Sequence, residues 1–382
     1  MSSKFKICLS FVLAVSLVLN SCTRDPFNND LITSVPVGLA VSLTGNFGPY
    51  GNIQKNGFLM AMDEVNKDSS SSGIKLVPCI LDDRSNQDTC MNIFRDMISA
   101  QEVMVVIGPT SSNCAFSADT IAQKSGVPVV GISNTVPGIT EMGEFIFRNS
   151  LPESEVIPNT IRVTQARLGF SRVAIIYGTD DAYTIGAYDA FKVSVEKLPG
   201  VSIVSTESIQ KGDLLFQEQL TRVKDSNPDV IILAALVNEA SRLMVQAKQL
   251  GIPETVRFIG GNSFNTSQLW QQAGQAAEGA ICGSAWIDSA VTPGNSQFVT
   301  NYSSLYGSKP DQFAAQAYAS VYIIADAIKR CDKISRQSLR DALAGTKDLQ
   351  TVLGIFSFDT NRDPVHSPVV QELKNGAFVL FN

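Results

Sequence analysis

The stretch Val103–Thr135, VMVVIGPTSSNCAFSADTIAQKSGVPVVGISNT, decides the fold. Its apolar run Val103–Ile107, closed by Gly108 and Pro109, reads as a parallel strand buried on both faces. The hydroxyl-rich turn Thr110-Ser111-Ser112-Asn113 leads into a helical pattern over Ala115–Lys124, which Gly126 stops. Val127–Ile132 is a second apolar run, and Ser133-Asn134-Thr135 is a second polar turn. Both turns leave the carboxyl ends of strands, the ends that face the ligand crevice in an open α/β sheet. Hydroxyls beside the N–H groups of a helix N-terminus suit a small carboxylate. Plain N-capping by Ser and Thr accounts for either turn alone. Two such turns on one rim argue for a binding site.

The same alternation runs outward in both directions. Val35–Leu43 is a strand, and Gly45, Gly48 and Gly51 punctuate the turn into helix Ile53–Asn66. Strand Lys75–Leu81 closes on Asp82-Asp83, helix Asn86–Ala100 follows, and Phe145–Asn149 ends this first set. A second set begins with helix Glu155–Leu168, strand Arg172–Tyr177, helix Ile185–Leu198 and strand Val201–Thr206. Helix Leu215–Asp225, strand Asp229–Leu236, helix Ala240–Leu250 and strand Arg257–Gly260 complete it. The fold class is α/β, with two similar doubly wound lobes. Beyond strand Ala280–Ile287 come Gln297–Tyr306, the long helix Ala314–Lys329, helix Arg336–Leu343 and strands at Gly354–Phe358 and Val369–Leu380. Asn375-Gly376 is a hairpin signal. These last elements are too few for a third domain and are expected to complete the two lobes.

The chain of 382 residues suffices for two such domains, and 44% hydrophobic with 17% charged residues fits a globular protein. A net charge of −6 argues against nucleic acid or anionic membrane surfaces as partners. The single histidine, His366, stands far from any Cys or acidic cluster, which leaves little for a catalytic triad or a histidine metal site. Gly45, Gly48 and Gly51 have the wrong spacing for a dinucleotide fingerprint, and no Walker sequence occurs. No cofactor and no enzymatic activity are expected. Asp180-Asp181 could hold a cation or act as a base, but capping helix Ile185–Leu198 is the simpler role. Tyr50 and Tyr183 precede helices at matching places in the two sets and suit the walls of a ligand cleft.

The N-terminus reads as a targeting segment over residues 1–21. Lys4 and Lys6 precede the apolar stretch Ile7–Leu19, too short to span a bilayer. Leu19-Asn20-Ser21-Cys22 resembles the bacterial lipobox, with lipidation at Cys22, and the polar residues 22–34 read as a tether. An exported, lipid-anchored protein is the expectation, with a mature charge of −8 once the two lysines leave the −6 total. Export makes disulfides possible. Cys90 and Cys114, in the first turns of consecutive helices, are the best candidate pair, whereas Cys282 with Cys331 is open and Cys79 falls in a predicted strand.

In their order, these pieces resemble the type 1 periplasmic solute-binding proteins of ABC transporters, the leucine/isoleucine/valine-binding group. Leu43-Thr44-Gly45 through Tyr50-Gly51, Asn56-Gly57 to Val65-Asn66, Leu81-Asp82-Asp83, Ile107-Gly108-Pro109 through Ser112, Pro128–Thr135, Asp180–Tyr183 and the helix around Tyr318 carry the likeness. It implies a Venus-flytrap of two lobes joined by three crossovers, placed near Ser150, Ile287 and Phe356. Residues 35–150 plus 288–355 then form the N-terminal lobe, and 151–287 plus 356–382 the C-terminal lobe. It further implies a small ligand, such as an amino acid, delivered to ABC permease subunits; a sensor domain signalling to a partner is the alternative. Carried over residue by residue, Ser112, Ser133 and Thr135 lie at the carboxylate site, with Asn134 among the ligand-binding residues, and Tyr50 and Tyr183 form walls. Asn262 stands where the branched-chain binder has an acidic residue, and Leu236 where it has an aromatic. Glu153 matches a second acidic position, so it is the residue left to meet a ligand ammonium. An amide or aromatic acid becomes the alternative ligand if Glu153 does not serve.

Overall fold

A computed structural model describes residues 33–68 and 73–382. The expected signal segment, Cys22 and all but the end of the tether lie outside the described residues. Thr33 and Ser34, read as tether, already belong to the first strand.

The first lobe is built from β1 (Thr33–Val41), α1 (Gly48–Asp68), β2 (Ile74–Asp82), α2 (Gln87–Ser99), β3 (Val105–Ile107), α3 (Ser112–Lys124), β4 (Val129–Gly131) and β5 (Ile146–Arg148). Its five strands are parallel in the order β2-β1-β3-β4-β5. The second lobe holds α4 (Glu153–Leu168), β6 (Arg172–Gly178), α5 (Ala182–Glu196), β7 (Ser202–Ile209), α6 (Gln217–Asp225) and β8 (Val230–Ala234). It continues through α7 (Val237–Gln249), β9 (Arg257–Gly260), α8 (Ser267–Ala273) and β10 (Ile281–Ser284). The chain then returns to the first lobe with α9 (Asn295–Tyr306), α10 (Gln312–Lys329), α11 (Arg336–Ala344) and the ribbon β11 (Leu349–Thr351) and β12 (Gly354–Phe356). It finishes on the second sheet as β13 (Val369–Lys374) and β14 (Ala377–Leu380), giving the order β7-β6-β8-β9-β10-β13-β14. The parallel part of each sheet therefore follows one plan. The order reverses between β1 and β3 in one lobe and between β6 and β8 in the other. Ligand crevices open at such reversals, beyond the carboxyl ends of the strands.

Strand alternation explains why the apolar runs are continuous. Val105 and Ile107 of β3 join the core beneath α1 and α10, whereas Val106 joins the opposite core beneath α2 and α3. Each such fully buried Val or Ile contributes about 1.5–3 kcal/mol. Glycine lets α1 and α10 come close: a Cβ on Gly57 would lie 2.2 Å from the Ala314 carbonyl oxygen. At the end of the chain, Asn375 (φ 50°) and Gly376 (φ 80°) are both left-handed, as a tight type I′ hairpin needs.

Three segments pass between the sheets. The first lies between Arg148 and Glu153, and the second follows Ser284, where Trp286 already packs edge-on against Phe298 in the first core. The third comes later than the expected Phe356. Phe356 and Phe358 are buried in the first core, and Phe358 meets Phe147 edge-on at 5.1 Å. Asp363 pairs with Arg148, and Arg362 donates to the Ile146 and Thr140 carbonyls, so the chain is released only after Asp363. The position carried over from the resemblance falls short because Phe358 and the Arg148–Asp363 pair still hold the chain to the first lobe beyond it.

Cys90 and Cys114 are free thiols, so the expected disulfide is not formed. Cys282 sits in the second-lobe core and Cys331 against the first-lobe core, which rules out their pairing. Among the described residues no helix is long and apolar enough to cross a membrane.

Candidate functional site

The loops at the two reversal points face each other across a narrow cleft. On the first-lobe rim, Ser111 caps α3 by accepting the Cys114 N–H, which leaves the neighbouring Ser112 hydroxyl to the cleft. Ser112 Oγ and Thr135 Oγ1 are buried, line the cleft and have no hydrogen-bond partner. The Ser133 hydroxyl lines the same cleft but is already committed. It donates to the Thr110 carbonyl at 2.7 Å and accepts from Gln54 Nε2 at 2.8 Å. Thr110 in turn donates to Gln54 Oε1 and accepts the Ser42 N–H, so this network braces the two hydroxyl loops against each other. Asn134 does not reach the cleft wall: it is fully buried, and its carbonyl takes up Arg148 and Ser150.

The second-lobe rim is organised differently. Tyr183 Oη donates to Ser263 Oγ at 3.0 Å and accepts the Ser263 N–H, and Ser263 Oγ donates to the Ala235 carbonyl. These groups line the cleft with their polar atoms satisfied among themselves. Asn262 lines it too and donates from Nδ2 to Glu153 Oε1 at 3.1 Å. Glu153 sits just behind Asn262, 1% exposed, with Oε2 unpartnered. Burial pushes its carboxyl up to about 7, against the opposing pull of the Asn262 amide and the nearby Tyr183 and Thr135 hydroxyls. Leu236, Phe47 and Phe313 make the apolar wall with Tyr50, whose ring centroid is 4.8 Å from that of Phe313.

Helix N-termini carry their first N–H groups without intrahelical partners. Across the cleft these groups are capped from the opposite lobe. Tyr50 Oη accepts the Val237 N–H at the start of α7 at 2.7 Å. Asn113 Oδ1 accepts the Ala182 N–H at the start of α5 at 2.9 Å, while its Nδ2 donates to Asp181. On the hinge side, Asn265 Oδ1 accepts the Gln312 N–H of α10, and Gln312 Nε2 donates to the Asn262 carbonyl. The lobes are closed on each other, and side-chain caps hold them so. Asp181 itself caps α5 through the Tyr183 N–H, and Asp180 accepts the Lys211 N–H; both aspartates are structural.

The periplasmic binding protein family matches residues 34–377. This chain belongs to that family. A Leu/Ile/Val-binding protein of Rhizobium johnstonii is 25% identical over 331 residues, 86% of this chain and 88% of its own. Among solved structures, the branched-chain amino acid transporter substrate-binding protein LivJ of Streptococcus pneumoniae, in complex with isoleucine, superposes with a TM-score of 0.85. It is 26% identical and is covered to 98%, with 91% of this chain. A solute-binding protein of R. palustris in complex with benzoate shares the fold at a TM-score of 0.82 and 21% identity, over 92% of this chain and 96% of that one. The periplasmic binding protein described here is thus a ligand-capturing protein and no enzyme.

Seven of the nine expected ligand residues line its cleft: Tyr50, Ser112, Ser133, Thr135, Tyr183, Leu236 and Asn262. Glu153 stands behind Asn262 and Asn134 lies away from the wall. Thr110 and Ser111 of the hydroxyl-rich turn also line it, as do Phe47, Ser263, Gln312, Phe313 and Gln316, which were not foreseen. Gln312-Phe313 opens the aromatic-rich helix and Ser263 follows Asn262, so adjacency to a named position was the only signal available.

Proposed function

We propose that this periplasmic binding protein captures a small amino acid between its lobes and hands it to ABC permease subunits, held to a bacterial membrane by lipid on Cys22. The observation that carries the ligand class is the set of unpartnered buried oxygens around one cleft: Ser112 Oγ, Thr135 Oγ1, Glu153 Oε2 and Asn262 Oδ1. A ligand carboxylate accepts from the two hydroxyls and from the first N–H groups of α3. A ligand ammonium donates to Glu153 and Asn262. The side chain then rests on Tyr50, Leu236 and Phe313. Buried donors and acceptors without partners are costly, so a ligand that satisfies both sets is favoured over one that leaves either bare.

A second reading has its own support. Asn262 already donates to Glu153, and burial favours that carboxyl's neutral form, so a carboxylic acid or amide without an ammonium also fits. A solute-binding protein of the same fold is in complex with benzoate, an acid without an amino group, and this supports the second reading.

A thermal-shift screen over amino acids, amides and small carboxylic acids, followed by calorimetry on the hits, separates the two. An α-amino acid that stabilises the protein far more than its deaminated analogue supports the first reading; the reverse order supports the second.

A further inference from the structure

Beneath the hydroxyl loops, where α2 and α3 pack on the first sheet, lies a second group of reactive side chains that ligand capture does not use. Asp83 follows β2, Cys90 lies in the first turn of α2 and Cys114 in the first turn of α3; they are 0%, 0% and 1% exposed. A carboxylate oxygen of Asp83 and the two sulfurs lie within 4.8 Å of one another. Asp83 Oδ1 is taken by the Ser42 hydroxyl at 2.5 Å and the Ser85 N–H at 2.8 Å, but Oδ2 is buried without a partner. Farther along α3, Asp119 is fully buried with both carboxylate oxygens unpartnered, near enough for its charge to act on both thiols. The two thiols belong to an apolar cluster that includes Phe94, Met97 and Ala118, and the Asp83 carboxylate meets them at its edge.

We propose that Cys90, Cys114 and Asp83 bind a thiophilic divalent cation of the zinc class. Unpaired carboxylates in an apolar pocket are expensive, and a cation answers the whole set at once. A disulfide would use the two sulfurs and leave the carboxylate oxygens bare. Tetrahedral zinc with Zn–S bonds of about 2.3 Å puts two sulfurs about 3.8 Å apart, inside the observed spacing. Thiolates select zinc over harder cations such as magnesium and calcium. Two thiolates and a carboxylate, all buried from solvent, make this a structural site and not a catalytic one.

Its place gives it a consequence for capture. The Cys114 N–H is the one that Ser111 caps, next to Ser112, and Asp83 reaches the seat through Ser42, whose N–H is held by Thr110. The cation pins the amino ends of α2 and α3 together and so holds the loop that presents Ser112.

The test uses the full chain purified under reducing conditions. Zinc analysis should return one equivalent per chain. Cobalt(II) replacing it should give tetrahedral ligand-field bands with a thiolate-to-cobalt charge-transfer absorption. Cys90→Ser and Cys114→Ser should each remove that absorption, and Asp83→Asn should weaken cobalt binding at least tenfold. The wild-type cobalt titration stands alone if a variant fails to fold. Failure of the reduced protein to take up either metal would overturn the proposal. So would undiminished cobalt binding by the folded cysteine variants, or a native chain whose Cys90 and Cys114 peptides are disulfide-linked. None of these results depends on which solute the cleft binds.

Discussion

The two rims of the cleft are built on the same strand order, yet they spend their hydroxyls differently. On the second-lobe rim, Tyr183, Ser263 and the Ala235 carbonyl satisfy one another. On the first-lobe rim, Ser112 and Thr135 hydroxyls are left without partners, while a braced network of Ser42, Thr110, Gln54 and Ser133 holds the loops that carry them. The helix caps repeat the contrast. Ser111 caps α3 from within its own lobe, whereas α7, and α5 in addition to its own Asp181, take a bond from Tyr50 and Asn113 reaching over from the other. The first lobe is thus a seat complete in itself, and the second is a lid completed by closing. On the proposed reading a ligand gains its polar contacts first on the seat, and closure then adds Glu153, Leu236 and the two caps.

The sharpest way to break this comparison is to strip one rim at a time. Ser112→Ala with Thr135→Ala should weaken ligand binding by about 2–4 kcal/mol in calorimetry, because both hydroxyls meet a charged group. Removing the second rim's internal bonds with Ser263→Ala should cost less, about 1 kcal/mol. Equal losses on both rims would remove the distinction between seat and lid.

Glu153 sharpens it chemically. Its carboxyl titrates near 7, above the ordinary 4.5, because burial disfavours the charge. An ammonium ligand needs the carboxylate, so below about 7 its binding must expel a proton, and affinity should fall by up to about tenfold per pH unit on acidification. A deaminated analogue makes no such demand and should not weaken on acidification through the same window. Calorimetry between pH 5.5 and 8 reads both slopes, and Glu153→Gln should flatten the first.

Smaller effects follow from closure and packing. Tyr50→Phe removes the cap on α7 and should cost about 1 kcal/mol of affinity, expressed as faster release in stopped-flow traces. Gly57→Ala should lower the unfolding midpoint, since its methyl would meet the Ala314 carbonyl at 2.2 Å.

How much of this was legible in the sequence depended on periodicity. The strands and the doubly wound plan could be read because parallel strands buried on both faces are continuous apolar runs. Helix starts were read late: α1 begins at Gly48 and not Ile53, α3 at Ser112 and not Ala115, α5 at Ala182 and not Ile185, α7 at Val237 and not Ala240. In α1, α3 and α5 the missing first turn carries a cleft residue, Tyr50, Ser112 or Tyr183, and no apolar stripe, so its residues looked like loop. The residues that line the cleft are the ones that periodicity does not report. The bond from Asn262 to Glu153 joins positions 109 apart and has no local signature. The thiol pair was legible as a meeting of two first turns, but not the orphaned carboxylates around it.

The most direct test of the seat is a crystal structure of the protein with its tightest-binding carboxylate-bearing solute. The account predicts that carboxylate within hydrogen-bond distance of Ser112 Oγ and Thr135 Oγ1, with the remainder of the molecule against Tyr50 and Leu236. A carboxylate held instead by Tyr183 and Ser263, with the first-lobe hydroxyls untouched, would contradict it.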